Sequence, residues 1–454
     1  MNNLINKMRN IFYEDIAYPI YQCKYGPAFG NSIIKILKRI EEYQWLAHDE
    51  MLAMQKEKLR SLIKHAYLTV PYYHEVMKKK GLSPEDIKSA NDLINFPVLT
   101  KQIIRENRRR LISANLQKGK YIETATGGST GEPLNFIRDW NTLIWTEASN
   151  LRGRLWAGVR IGDREIDFRF IGTPSLLGTF RTKIINKNSL DALAKENELI
   201  RYMDKIRSFK PRSIVAYASN LYRIAVVCNK HQINGIEFPS IFSTGELLYD
   251  YQRAFIENQF NGKVFDYYGC NEVGSIAHEC EHHHKHISEE RFIIEVSDSR
   301  GNPANNSFGV MTITDLDNYA MPFIRYQNGD LAETSNDPCQ CGRALKIIKS
   351  IQGRIQEFLR TSDGNYVPAI FFPCYFKDIK GIDQYQIIQP DLNDIILKIV
   401  KNSFFSVQEL ENVKHFIKQT IGENINITVE EHSHIPLTNS GKNRLIVSHL
   451  PMDI

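Results

Sequence analysis

The chain has 454 residues, of which 42% are hydrophobic and 24% charged, and a formal net charge of +5. That length exceeds one ordinary domain, and the composition is that of a globular protein with a sizeable core. The charge excess is too slight for a chain of this size to argue for nucleic acid, and no run of about 18 apolar residues exists to span a membrane.

Residues 1 to about 115 have a helical texture. Glu50 to Val70 carries apolar residues at Met51, Leu52, Leu59, Leu62, Ile63 and Ala66, close to a helix period. Val70-Pro71-Tyr72-Tyr73 breaks that pattern, Ser83-Pro84 is a cap with proline behind it, and another helix is expected from Lys101. Tyr72 and Tyr73 are read as core packing, and the basic run Arg105 to Arg110 as a solvated helix face. From 120 to about 350, short apolar runs alternate with helical stretches. Strands are expected at 165–172, 213–218, 240–244, 263–268, 292–296 and 310–315, with helices at 220–229 and 249–260. Such alternation predicts an α/β domain with a largely parallel sheet and ligands beyond the strands' carboxyl ends. After Arg354 a module of about 100 residues reads as a compact α+β domain, with strands at 384–389, 394–400 and 425–430 and a helix at 406–421. The polar start (Asn2, Asn3, Lys7) lacks a signal peptide's apolar core. The 7 cysteines, an odd number in a long chain, fit a reducing cytoplasm.

Thr124 to Pro133 reads TATGGSTGEP, glycines and hydroxyls that could turn backbone N–H groups toward a phosphate. It lacks the Lys-Ser/Thr that closes a P-loop, and by itself it is a turn. Four more motifs follow in order: YGCNE at 268–272, MPFIRYQNGD at 321–330, GRIQEF at 353–358 and PLTNSGKNR at 436–444. With these five the sequence resembles the adenylate-forming superfamily of acyl-CoA synthetases, adenylation domains and luciferases. It is most similar to the phenylacetate–CoA ligase branch that includes capsular polysaccharide biosynthesis proteins. HAYLTVPYYHEV and FPVLTKQIIREN near the N-terminus resemble that branch too, so the likeness covers nearly the whole chain.

The resemblance implies a large adenylate-forming domain (1–352), a hinge (353–357) and a small mobile α+β domain (358–454). It implies activation of a carboxylic acid by ATP and Mg²⁺ to acyl-AMP, then transfer to coenzyme A or to an amine or sugar acceptor. Ser129, Thr130 and Gly131 would hold phosphate. Glu132 stands where many relatives have lysine and is expected to point away. Glu272 is the expected Mg²⁺-associated carboxylate, an oxygen ligand of the kind Mg²⁺ prefers. Tyr268 would stack on adenine, with Gly245, Glu246, Gly269 and Asn271 around the nucleotide. Asp330 and Arg354 would meet the ribose, Tyr326 and Arg325 flanking Asp330. Lys442 is the expected catalytic lysine, its ammonium delivered to the developing charge on the α-phosphate. Gln356 stands where the family usually has aspartate, which weakens the thioester-forming half of the expectation. The acyl pocket is expected around Tyr217, Ala218, Ser219 and Tyr267.

Cys280, His286, Cys339 and Cys341 have the ligand types of a structural zinc site, although C-x₅-H and C-x-C are not zinc-finger spacings. Relatives of this branch carry a similar Cys…His…Cys-x-Cys-Gly-Arg pattern. Free buried thiols are the alternative, and His278, His282, His283 and His284 are competing ligands. Three functions remain open at this point: an acid–thiol ligase, an amide- or ester-forming ligase in surface-polysaccharide assembly, and a nucleotide-binding protein without turnover. The expected setting is cytoplasmic, without membrane insertion or nucleic acid; oligomeric state is open, a homodimer included.

Overall fold

The computed structural model describes residues 11–22, 27–126, 134–170, 176–298, 300–303, 308–354, 358–361, 366–368, 371–376, 378–437 and 444–450. By packing, the chain divides into two compact units. One takes residues 1–295, 312–328 and 334–349; the other takes 296–311, 329–333 and 350–454.

The first unit opens with helices, as its texture predicts. The longest, His48–Thr69, buries Met51, Gln55, Leu59, Leu62, Ile63 and Ala66 along one stripe. Its Gln55 Nε2 donates to the carbonyls of Glu289 (2.8 Å) and Phe292 (3.0 Å), tying the helix to the start of the strand Phe292–Ser297. The Val70-Pro71 break is a junction rather than a loop, because Pro71 starts a second helix, Pro71–Lys79. Proline is tolerated in a first turn, where its missing N–H has no helical partner. Tyr73 is buried and donates to the Pro322 carbonyl at 2.9 Å, so it supports the MPF turn from beneath. The basic run lies on the helix Lys101–Leu111, where Arg108 meets Glu123 at 2.8 Å on the surface and Arg110 meets Glu75.

A hairpin follows, β1 (Tyr121–Ala125) against β2 (Asn135–Asp139), paired as far as Ala125 opposite Asn135. Then comes the sheet: β3 (Glu165–Phe170), β4 (Lys187–Asp191), β5 (Ser213–Tyr217), β6 (Ser240–Thr244), β7 (Lys263–Cys270), β8 (Gly274–Glu279) and β9 (Lys285–Ile287), in spatial order β9-β8-β7-β6-β5-β3-β4. The run β4-β3-β5-β6-β7 is parallel. From β7 onward the pairing turns antiparallel, through β8 and β9. The expectation of a largely parallel sheet therefore describes one half of it. Strands β10 (Phe292–Ser297), β11 (Phe308–Asp315), β12 (Tyr326–Ser335) and β13 (Ile347–Arg354) have residues in both units, and Ile347 and Ile348 of β13 pair with β9.

Side chains alternate across these strands. Ile166, Phe168, Ile214, Ala216, Ile241 and Val264 join a large core with the helices Glu196–Phe209, Ala218–Lys230 and Asp250–Phe260. Val215, Phe242, Phe265 and Tyr267 form a smaller cluster on the opposite face.

The second unit adds a small hairpin, β14 (Phe358–Arg360) with β15 (Tyr366–Pro368), and a four-stranded sheet. In that sheet β16 (Ile382–Asp391) and β17 (Asp394–Lys401) run antiparallel, with β18 (Asn426–Glu431) parallel to β17 and β19 (Ile446–Ser448) parallel to β16. The helix Val407–Ile421 is capped by Ser406 Oγ, which accepts from Glu409 N at 3.1 Å, and it buries Val413, Ile417 and Ile421 at four-residue spacing. The expected α/β architecture with a small α+β C-terminal part is the one observed.

Candidate active site

The carboxyl ends of the parallel strands carry the nucleotide candidates. After β6, Gly245 takes φ +77°, open to glycine at no steric cost. Glu246 then turns back, and its Oε2 accepts from Ser219 N at 2.8 Å. Ser219 lies in the first turn of the Ala218–Lys230 helix, whose cap residue Tyr217 supplies no side-chain bond. A carboxylate there meets an orphan amide and the positive end of the helix dipole.

The YGCNE stretch spans the tip of the β7–β8 hairpin. Tyr268, Gly269 and Cys270 are still strand, and Asn271 is exposed at the turn. A Cβ at Gly269 would stand 2.4 Å from the Gly274 carbonyl oxygen, so the tight crossing of the hairpin requires glycine. Glu272 is only 3% exposed, and its Oε1 accepts from the Tyr326 hydroxyl at 2.7 Å. Asn328 Nδ2 donates to the Tyr268 hydroxyl at 2.7 Å. The two motifs thus clamp each other through two side-chain bonds. The sequence had Tyr326 only as a neighbour of Asp330 and did not single out Asn328. Its signal was the strand period: 326, 328 and 330 fall on one face of β12, and all three are buried.

Arg325 has φ +53°. Its guanidinium is committed to Glu295 (3.1 Å) and to the Phe96 carbonyl (2.9 Å), which is a framework role. Asp330 lies in the second unit's share of β12. Ser129, Thr130, Gly131 and Glu132 lie outside the described residues, as do Gln356, Glu357 and Lys442; of Arg354 only the backbone is described. The stretch 127–133 is flanked by a closed hairpin neck, where Thr126 N donates to the Leu134 carbonyl at 3.0 Å.

The Cys/His constellation is brought together. Cys280, His286, Cys339 and Cys341 place their ligand atoms within 4.8 Å of one another. Cys280 and Cys339 sulfurs are 3.7 Å apart, and Cys341 Sγ is 3.3 Å from His286 Nε2. Tetrahedral zinc would put sulfurs about 3.8 Å apart and sulfur and nitrogen about 3.5 Å apart. His286 lies on β9, and its Nδ1 donates to the Leu345 carbonyl at 3.0 Å, which leaves the Nε2 lone pair facing the sulfurs. Backbone amides approach two of the sulfurs, His282 N to Cys280 (3.4 Å) and Cys341 N to Cys339 (3.5 Å). Burial pushes the Cys280 thiol up to about 12 and the His286 imidazole down to about 4. Of the competing histidines, His284 brings its Nδ1 to 3.1 Å from Cys339 Sγ. The donor types and spacing fit zinc.

Residues 359–449 match the CapK C-terminal domain family. The chain is 24% identical over 428 residues to Protein CapK of Staphylococcus aureus, covering 91% of this chain and 92% of that protein. The resemblance read from the motifs holds. A phenylacetate-coenzyme A ligase of Thermus thermophilus is 24% identical over 442 residues, covering 89% of this chain and 98% of its own. Among solved structures, a 2-hydroxyisobutyryl-CoA ligase in the postadenylation state superposes with a TM-score of 0.71 at 16% identity, over 89% of this chain and 90% of that one. The chain therefore has the adenylate-forming fold, and its relatives lie in the branch of phenylacetate–CoA ligases and CapK. Among the described residues, no helix is long and apolar enough to cross a membrane.

Proposed function

We propose that the chain is an ATP-dependent, AMP-forming ligase that activates a carboxylic acid as its acyl-adenylate. The observation that carries this reading is the Glu272–Tyr326 and Tyr268–Asn328 clamp beyond the carboxyl ends of the parallel strands, where such sheets bind ligands. Tyr268, held by Asn328, would present its ring to adenine. Glu272 commits Oε1 to Tyr326, so its Oε2 would meet Mg²⁺, which when bound neutralises phosphate charge. Asp330 and Arg354 would hold the ribose. Ser129, Thr130 and Gly131 would close over the phosphates, and Lys442 would arrive on the small domain (358–454) turning about 353–357. In the first half-reaction a carboxylate oxygen bonds to the α-phosphorus and pyrophosphate leaves. In the second, a nucleophile takes the acyl carbon and AMP leaves.

Coenzyme A is the simplest acceptor. An amine or sugar acceptor is the second reading, favoured by the match of residues 359–449 to the CapK C-terminal domain and by Gln356 at the hinge. A nucleotide-binding protein without turnover is the third. Cys280, His286, Cys339 and Cys341 would hold a structural zinc.

Pyrophosphate release across a panel of carboxylic acids tests the activity, and adding coenzyme A or hydroxylamine to the product reports the acceptor. Lys442→Ala is expected to abolish adenylation while ATP affinity stays within about a few-fold. Normal turnover in that variant would remove the lysine's assignment, and ATP binding without pyrophosphate release from any acid would favour the third reading.

A further inference from the structure

Strand β3 carries a row of charge on the face opposite the large core. Arg154, from the end of the Trp140–Trp156 helix, pairs with Glu165. Glu165 also meets Lys187 at 3.1 Å, Lys187 meets Asp167 at 3.0 Å, and Asp167 meets Arg169 at 2.8 Å. Side-chain exposure rises along this row, from 6% at Glu165 through 13% at Asp167 to 38% at Arg169. The guanidinium at its end is therefore the most exposed charge of the row, at the carboxyl end of β3. Although burial works against ionisation, Arg169 and Lys187 together hold the Asp167 carboxyl well below the usual range, so the row stays charged.

Three strands away, Tyr267 projects from β7 into the same face. Its ring packs on Phe242 (centroids 5.3 Å apart) and meets His278 edge-on at 4.4 Å. Its hydroxyl is buried and has no hydrogen-bond partner among the described residues, and the same holds for His278 Nδ1. Burial is the main cause that raises the Tyr267 phenol, with Arg154 and Arg169 acting on it in the opposite sense. Val215, Phe242 and Phe265, level with Asp167, make an apolar floor one register step below, while Tyr217 and Thr244 stand level with Tyr267 on the intervening strands. A wholly apolar acid lying here would leave the Tyr267 hydroxyl unmet and would strip water from Arg169. Both outcomes select against it.

We propose that the acid activated by this chain carries a second oxygen function, a hydroxyl or a carboxylate, on its non-reacting part, met by the Tyr267 hydroxyl and the Arg169 guanidinium. The inference rests on the acyl-adenylate reading and gives that site its substrate class. A site built around a buried hydrogen-bonding group discriminates strongly against an analogue that lacks the matching group.

The test is ATP–pyrophosphate exchange on the full-length protein with chain-matched acids: butanoate, 3-hydroxybutanoate and succinate, with phenylacetate alongside. The expected result is a kcat/KM for 3-hydroxybutanoate or succinate at least about 10-fold above that for butanoate and phenylacetate. Tyr267→Phe removes a hydroxyl with no protein partner among the described residues. It should leave the unfolding midpoint in place while cutting the ratio of oxygenated to unsubstituted acid about 10-fold. Arg169→Leu should lower the succinate ratio most, with Arg169→Lys restoring part of it. Equal or better use of butanoate or phenylacetate, with a ratio insensitive to Tyr267→Phe, overturns the proposal and leaves the ligase reading standing. Failure of every acid to drive exchange overturns the ligase reading, and this proposal with it.

Discussion

Two buried polar regions meet the ring of Trp156 through the paired residues His286 and His278, and they treat their polar atoms in opposite ways. In the first, 5.8 Å from that ring, His286 belongs to the Cys/His set, where side chains face one another and backbone groups supply the remaining bonds. In the second, 6.4 Å from it, His278 and its neighbour Tyr267 keep polar atoms without partners among the described residues. A closed set of donors holds structure together. Unmet buried groups cost stability, on the order of 1–3 kcal/mol each, and are a reason to expect something bound. Substitutions in the first region should therefore be read in stability, and those in the second in rates and preferences.

The largest expected effect is in the closed region. Cys280→Ala should remove stoichiometric zinc, seen by elemental analysis, and lower the unfolding midpoint by on the order of 10 °C, because a structural metal contributes several kcal/mol. A variant that keeps its midpoint, or a native protein without zinc, would reduce the cluster to buried thiols. Next comes Glu272→Gln, which removes a charge that would face Mg²⁺ and keeps the oxygen that accepts from Tyr326. Pyrophosphate release should fall about 100-fold to 1,000-fold with little change in the midpoint. A large loss of stability with unchanged rate would move Glu272 to the structural side of the comparison.

A third buried region combines the two behaviours: its charges pair, yet Asp315 and Asp317 each keep an Oδ2 without a hydrogen bond among the described residues. Lys58 meets Asp317 at 2.7 Å and Arg152 meets Glu290 at 3.0 Å, while Arg291 lies 3.7 Å from Asp317. Asp315 accepts from Asp317 N at 3.0 Å, but burial pushes it up to about 6 against the pull of Arg291. A carboxyl whose folded-state pKa lies above its ordinary 3.8 adds stability below that value and loses it as pH rises through about 6. Asp315→Asn should accordingly be more stable than the parent above pH 6, the difference vanishing near pH 4. Midpoints measured across that range check the sign, and an equal offset at every pH would mean that titration is not the cause.

Much of this was legible in the chain, for physical reasons that differ by region. Strand and helix positions followed from periodicity; the expected helix at 406–421 is found at Val407–Ile421, because Ser406 caps it and its apolar residues recur every four positions. The antiparallel turn after β7 was not legible, since Gly269 and Gly274 read locally as loop glycines and only their close crossing reveals a hairpin. The Cys/His set was legible by residue type and likeness but not by spacing, because β9 and β13 bring His286 beside Cys339 and Cys341 from distant parts of the chain. Asn328 was missed for the same reason, as its partner Tyr268 is 60 positions away. The expectation at Gly245 and Glu246 had a different gap: the helix start that engages Glu246 depends on Ser219, and no local pattern links those two positions.

Trp156 itself supplies the smallest effect and the most direct test of independence. Its Nε1 donates to Gln44 Oε1 at 2.8 Å, an oxygen that also accepts from Arg343 Nε at 3.1 Å. Arg343 and Arg152 lie over its ring at 4.7 Å and 5.1 Å. Trp156→Phe removes one neutral hydrogen bond whose acceptor keeps a second donor, and it weakens the cation–π contacts. The loss should be about 1 kcal/mol, a shift of about 2 °C in the midpoint. Zinc content and acid preference should both stay at parental values, because Phe keeps an aromatic ring against His286 and His278, and the indole N–H that is lost serves Gln44 rather than either region. A change in acid preference would show that the ring transmits strain from one region to the other, and stability and selectivity would then have to be read together.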